Sequence, residues 1–371
     1  MEFRDLKAQY RFLKQEIDMA ISDVLESGRF IGGSEVDAFE RELAAYVGVK
    51  HCITCANGTD ALQLALMAWG IGEGDAVIVP DFTFFSSGEV VSAVGATPVF
   101  VDALEDSFNI DPEEIVPACE LARKNGLNPR VVVAVDLFGR PAAYPEIRKV
   151  CQEQELLLLE DGAQGFGGSI GGKRACSFGD ISTTSFFPAK PLGCYGDGGA
   201  VFTDNNEWAD LIRSFAVHGK GSMKYDNVRI GMNSRLDSVQ AAILQVKLFA
   251  FIDHELNDVN EAAARYDGLL QGSSFILPHV PERWVSSWAQ YTLRLPNGID
   301  RDGVQAKLNT QGIPTMVYYP KPMHKQTAFD GRSLSLPCPV TEQLCKSVLS
   351  LPMGPYITDS DMDEVARALL K

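Results

Sequence analysis

The chain has 371 residues, of which 46% are hydrophobic and 22% charged, and its formal net charge is −16. This composition is typical of a globular protein, and the length favours two domains over one compact core. The negative charge argues against nucleic acid as a partner, although a few local arginines can still bind a small anion. The charged first residues and the lack of a long apolar run argue against a signal peptide or a membrane span, so we expect a cytoplasmic protein.

After two N-terminal helices, over residues 7–27 and from Ser34 to Val47, apolar strands alternate with amphipathic helices. The predicted strands are 52–55, 76–79, 97–101, 130–135 and 156–159, and the predicted helices between them are 60–69, 86–94, 113–124 and 145–154. This order predicts an α/β fold with a mainly parallel sheet that is covered on both faces. Ligands of such sheets bind at the carboxyl ends of the strands, so the residues after each strand are the candidates for a site.

The eight cysteines are scattered, and only Cys52 and Cys55 form a CxxC pair. No second CxxC and no HxxxH accompanies the pair, so the pattern does not predict a zinc site. We expect structural thiols that pack within a strand in a reducing compartment, and no metal.

The turn after the first strand, residues 56–61 (ANGTDA), leads directly into a helix. Gly58 permits a close backbone approach, Thr59 offers a hydroxyl, and the free amides of a helix start favour a phosphate. An ordinary helix cap explains the same residues equally well. After the second strand, Phe84 lies in an aromatic run and either stacks on a flat ligand or belongs to the core.

The most informative stretch begins with the apolar strand 156–159, which ends in two acidic residues. A second strand, 181–187, leads to Lys190, which stands between two prolines and before a glycine-rich loop. We interpret Lys190 as an amine that forms a Schiff base with pyridoxal phosphate, and Asp161 as the partner of the ring nitrogen. Gln164 follows Asp161 by one helical turn and can face the same ligand. The alternatives are a surface lysine and a helix-capping aspartate.

Further along the chain, residues 231–237 (GMNSRLD) precede a predicted helix, 236–253. Asn233 and Arg235 together suit a phosphate and a carboxylate, because a guanidinium matches both oxygens of a carboxylate. Capping of the helix by Asn233 or its neighbour is the plainer alternative.

The alternation stops near residue 250, so we predict a large α/β domain over residues 1–250 and a smaller C-terminal α+β domain over 251–371. The smaller domain should contain a strand at 290–295, a helix at 302–311 and a terminal helix from about residue 360. Its rigid loop carries Tyr319 and His324. A histidine in such a place is either a substrate contact or a structural residue.

Five stretches in this order resemble the DegT/StrS family of pyridoxal-phosphate-dependent sugar aminotransferases: 55–62 (CANGTDAL), 160–167 (EDGAQGFG), 184–200 (TSFFPAKPLGCYGDGGA), 231–237 (GMNSRLD) and 318–326 (YYPKPMHKQ). The resemblance spans nearly the whole chain and implies the type I aminotransferase fold. Within the family, the sequences of segments 184–200 and 231–237 most resemble those of enzymes that act on UDP-2-acetamido-2-deoxy-3-oxo-D-glucuronate. These enzymes belong to bacterial surface-polysaccharide pathways, such as O-antigen synthesis.

The resemblance implies a role for each candidate residue. Lys190 is the Schiff-base lysine and Asp161 the partner of the ring nitrogen, while Gln164 lies by the phenolic oxygen of the cofactor. The other implied contacts are Gly58, Thr59 and Ser185 at the phosphate, Asn233 reaching the phosphate from a second subunit, Phe84 on the ring, Arg235 at a substrate carboxylate, and Tyr319 and His324 in the sugar pocket. The chain departs from the family at Gly162, where alanine is usual, and at Phe84, where tryptophan or tyrosine is common.

The implied reaction moves the amino group of L-glutamate to a keto-sugar nucleotide in a homodimer with shared active sites. A 4-keto-6-deoxy sugar nucleotide, or another keto sugar, is the nearest alternative acceptor. The related sugar dehydratases carry histidine instead of the lysine, and position 190 is Lys. A non-catalytic regulatory protein of the same fold is the alternative from another class.

Overall fold

A computed structural model describes residues 1–223 and 225–371. The helices are α1 (Leu6–Phe12), α2 (Lys14–Ser27), α3 (Ser34–Val47), α4 (Gly58–Ala68), α5 (Ser86–Ala93), α6 (Ile115–Lys124), α7 (Tyr144–Gln154), α8 (Asn206–Ala216), α9 (Ser238–Ala250), α10 (Leu256–Leu270), α11 (Arg301–Thr310), α12 (Pro339–Ser347) and α13 (Asp359–Leu369). The strands are β1 (His51–Cys55), β2 (Asp75–Pro80), β3 (Thr97–Val101), β4 (Asn128–Val135), β5 (Leu157–Asp161), β6 (Ser169–Ile170), β7 (Lys173–Arg174), β8 (Ile181–Ser185), β9 (Gly199–Thr203), β10 (Trp284–Val285), β11 (Tyr291–Arg294), β12 (Leu334–Ser335) and β13 (Val348–Leu351).

The largest sheet in the described part of the chain has eight strands in the order β1-β9-β8-β5-β4-β2-β3-β12. The central strands pair in parallel, with Val135 opposite Asp161 and Asp161 opposite Thr183. Strand β9 runs antiparallel to both of its neighbours, β1 and β8. The mainly parallel α/β architecture expected from the sequence is therefore confirmed.

Alternation along each central strand sends side chains to two different hydrophobic layers. In β2, Val77 and Val79 pack in the layer that contains residues of α4 and α8, while Ala76 and Ile78 pack in the layer that contains residues of α6 and α7. Successive residues of a strand point to opposite faces, so a run of apolar residues indicates a strand that is buried on both sides. All four side chains are fully buried.

The N-terminal helix expected over residues 7–27 is in fact two helices, α1 and α2, so that prediction was wrong. The break lies at Leu13, whose ψ of 11° departs from the helical range although its amide still donates to the carbonyl of Gln9 at 3.0 Å. Leu13 and Ile17 are both buried against α9. Their apolar spacing continues across the break, so the period alone could not reveal it.

The predicted domain division at residue 250 stays a prediction, because the helical run from Ser238 to Leu270 passes through it. In the middle of this run, Phe251–Glu255 forms a π-helical segment between α9 and α10. A separate hydrophobic cluster is built by side chains between residues 256 and 369. Strand β12, although late in the chain, pairs with β3 of the large sheet.

All eight cysteines are free and buried, including Cys52 and Cys55 in β1. Burial raises the pKa of both of these thiols, which therefore stay protonated. Among the described residues, we find no helix with the length and apolar character that crossing a membrane requires.

Candidate active site

A cavity of about 470 Å³ opens at the carboxyl ends of β1, β2, β5 and β8, and we call it the central cavity. This is the edge of the sheet at which parallel α/β folds bind their ligands. Of the residues singled out in the sequence, those that line the central cavity are Gly58, Thr59, Phe84, Asp161, Gln164, Ser185, Lys190 and Tyr319. The fold thus brings together motifs from five separate stretches of the chain.

Lys190 is carried by a tight loop, residues 186–198, which we call the Lys190 loop. The loop folds back on itself because the amides of Phe186 and Cys194 donate to the carbonyls of Gly198 and Phe186, each at 2.8 Å. The amide of Lys190 donates to the carbonyl of Phe187 at 2.8 Å. Burial lowers the pKa of the Lys190 amine to about 8, although the nearby carboxylate of Asp161 acts in the opposite direction. A pKa of about 8 leaves a minority of the amine neutral near physiological pH, which is the form that a nucleophile or general base requires.

Asp161 is the last residue of β5, and its buried carboxylate faces the central cavity. The hydroxyl of Ser87 donates to its Oδ2 at 2.8 Å, and the amide of Ala163 donates to its Oδ1 at 3.2 Å. Burial raises the pKa of this carboxyl group, while the two hydrogen bonds and Lys190 lower it. A buried carboxylate of this kind has a strong electrostatic preference for a cationic ligand atom.

The neighbouring acid, Glu160, points to the other side of the sheet and has a structural role. Its carboxylate accepts the amides of Cys176, Phe178 and Gly179 and, at 2.7 Å, the hydroxyl of Ser182. These bonds hold the segment before β8 in place. The alternation of a strand therefore separates two adjacent carboxylates into one that faces the cavity and one that supports the fold.

The start of α4 and the end of β8 form one wall of the cavity. Asn57 caps the helix by accepting the amide of Asp60 at 2.8 Å, and the first-turn amides of Gly58 and Thr59 have no partners within the helix. A Cβ on Gly58 would lie 2.6 Å from the Cβ of Ser185, so only glycine lets helix and strand approach this closely. Amides at a helix start together with hydroxyl groups make a suitable site for a phosphate.

Opposite this wall, Gln164 and Tyr319 bind each other. The Gln164 Oε1 accepts the amide of Phe138 at 2.8 Å, and its Nε2 donates to the Tyr319 hydroxyl at 3.3 Å. The ring of Phe84 is 53% exposed and lies 6.2 Å from the Tyr319 ring, measured between centroids. Phe84 therefore borders the cavity and is not part of the closed core.

Three of the residues singled out in the sequence lie outside the central cavity. Asn233 and Arg235 are exposed, and Arg235 borders a separate, open groove lined by residues between 217 and 235. His324 is half-buried, and its Nδ1 and amide hydrogen-bond the two carboxylate oxygens of Asp81 at 2.6 and 2.7 Å. Its role as a substrate contact stays a prediction, and its observed contacts join the C-terminal part of the chain to the end of β2.

The comparison with protein families matches the model described as the DegT/DnrJ/EryC1/StrS aminotransferase family over residues 12–370. The chain belongs to this family. The match confirms the family that the five motifs indicated.

Two full-length relatives illustrate the similarity. The chain is 42% identical over 371 residues to the UDP-2-acetamido-2-deoxy-3-oxo-D-glucuronate aminotransferase of Pseudomonas aeruginosa, covering 100% of this chain and 99% of the relative. It is 39% identical to a pleiotropic regulatory protein of Geobacillus stearothermophilus, covering 98% and 96% of the two chains.

Solved structures agree with this assignment. A DegT/DnrJ/EryC1/StrS aminotransferase from Brucella abortus superposes with a TM-score of 0.96 at 46% identity, over 100% of this chain and 98% of that chain. NtdA from Bacillus subtilis, crystallised with the cofactor PMP, superposes with a TM-score of 0.86 at 30% identity, over 96% and 81%. The type I aminotransferase fold and the aminotransferase class are therefore confirmed, and pyridoxal phosphate is the cofactor expected from the family.

Within this aminotransferase, the departure from the family at Gly162 has a structural explanation. A Cβ on Gly162 would lie 2.6 Å from the Sγ of Cys176 and 3.0 Å from the carbonyl oxygen of Thr183. The side chain of Cys176 thus occupies the space that an alanine at position 162 would need. The glycine and the cysteine form a complementary pair.

Sequence reasoning missed two serines of this site, Ser86 and Ser87. Ser86 lines the cavity and its hydroxyl lies 2.8 Å from that of Thr59, while Ser87 binds Asp161. Both follow the aromatic run after β2 at the carboxyl edge of the sheet. Their position at this edge is the sequence signal that marks them as candidates for the site.

Proposed function

We propose that the chain transfers the amino group of L-glutamate to a keto-sugar nucleotide, with a UDP-3-keto sugar such as UDP-2-acetamido-3-oxo-glucuronate as the acceptor. The observation that supports this proposal best is the arrangement of Lys190 and Asp161, which line one cavity with opposite charges and opposite pKa shifts. The full-length similarity to the Pseudomonas aeruginosa enzyme supports the choice of acceptor. The product would be an amino-sugar nucleotide for surface polysaccharides.

The residues of the central cavity fit pyridoxal 5'-phosphate. The amides of Gly58 and Thr59, with the hydroxyl of Ser185, would hold the phosphate, and Asp161 would stabilise a positive charge on the ring nitrogen. Gln164 would lie by the phenolic oxygen, and Phe84 would pack on the ring. A volume of about 470 Å³ is within the usual range of small-molecule sites.

The bound cofactor supplies an aldehyde that carries the amino group and a ring that accepts electrons. The chain contributes an amine that is neutral in a minority of molecules near physiological pH, because burial brings the pKa of Lys190 to about 8. In this state, the Lys190 amine would serve as a nucleophile toward the aldehyde of the cofactor and, when it is not attached, as a general base that moves a proton. Ser87 and Ala163 hold the Asp161 carboxylate in one orientation.

We further propose a cytoplasmic homodimer in which the segment 217–235 of one copy completes the site of the other. Asn233 would reach the phosphate, and Arg235 would bind the carboxylate of glutamate or of a uronate sugar. Support comes from the exposed apolar side chains on this segment, since Ile230 is 90% and Val228 is 54% exposed. Eight free, buried thiols agree with a reducing compartment.

Cofactor attachment is tested by adding pyridoxal phosphate to the purified protein, treating it with borohydride and mapping the modified peptide. We expect a yellow protein before reduction and a stable modification on Lys190 after it. The Lys190→Ala variant serves as the control and should carry no modification. Absence of cofactor uptake by the unmodified protein would refute the proposed chemistry.

The acceptor is tested by incubating the holoenzyme and glutamate with a panel of 3-keto and 4-keto sugars linked to UDP or dTDP. We expect amination of a 3-keto UDP sugar and release of 2-oxoglutarate. If only a 4-keto sugar is aminated, the acceptor is wrong while the reaction class stands. The regulatory function suggested by the name of the Geobacillus relative would be favoured if the protein binds the cofactor and aminates no sugar.

The shared site is tested by mixing Lys190→Ala and Asn233→Ala protomers, each inactive as a homodimer. Random exchange of subunits should restore about a quarter of the activity, because half of the dimers then contain one intact site of two. If the mixture of the two variants stays as inactive as each variant alone, each chain builds its site without the other.

A further inference from the structure

Behind the Lys190 loop lies a group of three charged residues that we call the rear charge cluster: Arg4, which is half-buried, and the buried Lys247 and Glu255. The three residues come from the N-terminal segment, from α9 and from the π-helical segment that follows α9. None of them is among the described residues that line the central cavity. The proposed chemistry therefore assigns them no direct contact with a ligand.

Glu255 provides the negative charge of the rear charge cluster. Glu255 is 2% exposed, and its Oε1 accepts hydrogen bonds from the side-chain Nε2 of Gln9 at 2.8 Å and from the Tyr356 hydroxyl at 2.7 Å. Glu255 is the last residue of the π-helical segment Phe251–Glu255. Segments of this kind add a residue to a helical turn and are frequent at functional sites.

The two cations of the cluster each contact a carbonyl of the Lys190 loop. The Lys247 Nζ donates to the carbonyl of Gly193, and the Arg4 Nη2 donates at 3.5 Å to the carbonyl of Pro191, the residue next to Lys190. The Arg4 Nη1 is buried and has no hydrogen-bond partner among the described residues. The charge of Glu255 acts on this guanidinium through space.

The backbone beside Arg4 is anchored to the C-terminal part of the chain. The carbonyl of Phe3 accepts the amide of Met353 at 3.0 Å, and the ring of Phe3 lies 6.3 Å from that of Tyr318, measured between centroids. Arg4 is consequently fixed at both ends, by its backbone and by its side chain.

Charges reach the Lys190 amine from two sides. Asp161 favours the protonated amine from the cavity side, while the positive charge of Arg4 favours the neutral amine and so acts with burial to lower its pKa. The other titratable groups that line the cavity are the exposed Asp197 and the phenols of Tyr318 and Tyr319, whose pKa values burial raises. Arg4 is thus the fixed cation that opposes Asp161, and an arginine keeps its charge at any physiological pH.

We propose that Arg4 is a positioning residue for Lys190: its guanidinium is bound to the carbonyl of Pro191 and holds a fixed positive charge against the backbone that carries the reactive amine. This inference rests on the proposed role of Lys190 as the reactive amine. It makes the N-terminal segment, 187 residues away in sequence from the bonded carbonyl, part of the active-site machinery.

The test measures the titration of Lys190 in the cofactor-free, full-length protein. Trace labelling with acetic anhydride between pH 6 and 11, followed by mass spectrometry of the Lys190 peptide, reports the fraction of neutral amine. Arg4→Met removes the charge and the donor, Arg4→Gln removes the charge and keeps an N–H donor, and Arg4→Lys keeps the charge. We expect Arg4→Gln and Arg4→Met to raise the midpoint by about half to one pH unit, and Arg4→Lys to restore it to within a few tenths.

Arg11→Met is the matched control, because Arg11 lies in α1 near the same segment and its side chain is 71% exposed. Each variant is first checked for native circular dichroism, and Arg4→Gln carries the test if Arg4→Met does not fold. A second readout is the rate at which the apoprotein takes up pyridoxal phosphate at pH 7, which should fall about three- to tenfold in Arg4→Gln and stay unchanged in Arg11→Met.

Equal midpoints for Arg4→Gln and the unmodified protein would overturn the role of Arg4. If the unmodified protein attaches pyridoxal phosphate to Lys190 while the Arg4 variants titrate normally, only this inference fails. If the unmodified protein attaches no cofactor to Lys190, the proposed function fails first. The two failures are therefore distinguishable in one set of samples.

Discussion

Lys190 belongs to the Lys190 loop, Lys247 contacts this loop from behind, and burial lowers the pKa of each of the two amines to about 8. Lys190 lines the central cavity, and the charge nearest to it there is Asp161. Lys247 is 1% exposed, donates to the Gly193 carbonyl and lies 5.0 Å from the centre of the Tyr195 ring. The pKa shift is thus the same for both residues, while access to a cavity differs.

This difference shows that a lowered lysine pKa indicates burial and does not by itself indicate catalysis. An amine that donates to a backbone carbonyl in a closed environment supports the loop. An amine that faces a cavity with a carboxylate in its wall, as Lys190 does, can reach a bound ligand. The contacts of the nitrogen, and not its acidity, therefore separate the two roles.

The largest expected effect separates the two lysines by activity. Lys190→Ala should lower kcat by about a thousandfold or more, because the attachment point and the general base are both lost. Lys247→Met keeps the aliphatic stem and should retain cofactor attachment on Lys190. Steady-state kinetics and peptide mapping after borohydride reduction measure both effects. Cofactor bound to Lys247 in either protein would reverse the assignment.

The lowered pKa that Lys247 shares with Lys190 should make the stability of the fold depend on pH. The folded-state pKa of Lys247 is about 8 and lies below the ordinary value of about 10.4, so the unfolded chain binds more protons between these pH values. The free energy of unfolding should therefore gain a contribution as pH rises from 8 to about 10. In Lys247→Met this contribution, up to about 3 kcal/mol, should be missing.

Urea unfolding at several pH values measures this effect, and the difference between variant and unmodified protein cancels the titration of all other groups. Lys124→Met is the control, because Lys124 is an exposed residue at the end of α6. It should leave the pH dependence unchanged. Parallel curves for Lys247→Met and the unmodified protein would contradict a lowered pKa at Lys247.

The smallest expected effect concerns the wall of the central cavity that is formed by the start of α4 and the end of β8. Gly58→Ala places a Cβ 2.6 Å from that of Ser185, which should cost about 1–3 kcal/mol and weaken retention of pyridoxal phosphate. Gly268→Ala in α10 is the matched control, because a Cβ there meets no atom within 4 Å. That substitution should stabilise the fold by about 0.4–1 kcal/mol and leave cofactor binding unchanged.

Thermal unfolding and cofactor dissociation measure these two glycine variants side by side. Equal cofactor affinity for Gly58→Ala and Gly268→Ala would show that the contact between α4 and β8 does not shape the phosphate site.

Much of the cavity was predictable because its residues follow strands that are easy to recognise. Asp161 directly follows an apolar run, and Gly58 follows β1 at the start of a helix. The rule that ligands bind at the carboxyl edge of a parallel sheet then places both at one site. Ser87 obeys the same rule, but its bond to Asp161 spans 74 residues and has no local signature.

The sequence by itself determined the alternation of strands and helices in the large sheet, the family, and several residues at the carboxyl edge, such as Gly58 and Asp161, because periodicity and turn chemistry are local properties. Only the tertiary structure decided how the two lysines differ and that Arg4, Lys247 and Glu255 meet behind the loop. The hydrogen bond between Gln9 and Glu255 joins residues 246 positions apart. Charges that are brought together by packing over such separations leave no pattern along the chain, whereas alternation within a single strand does.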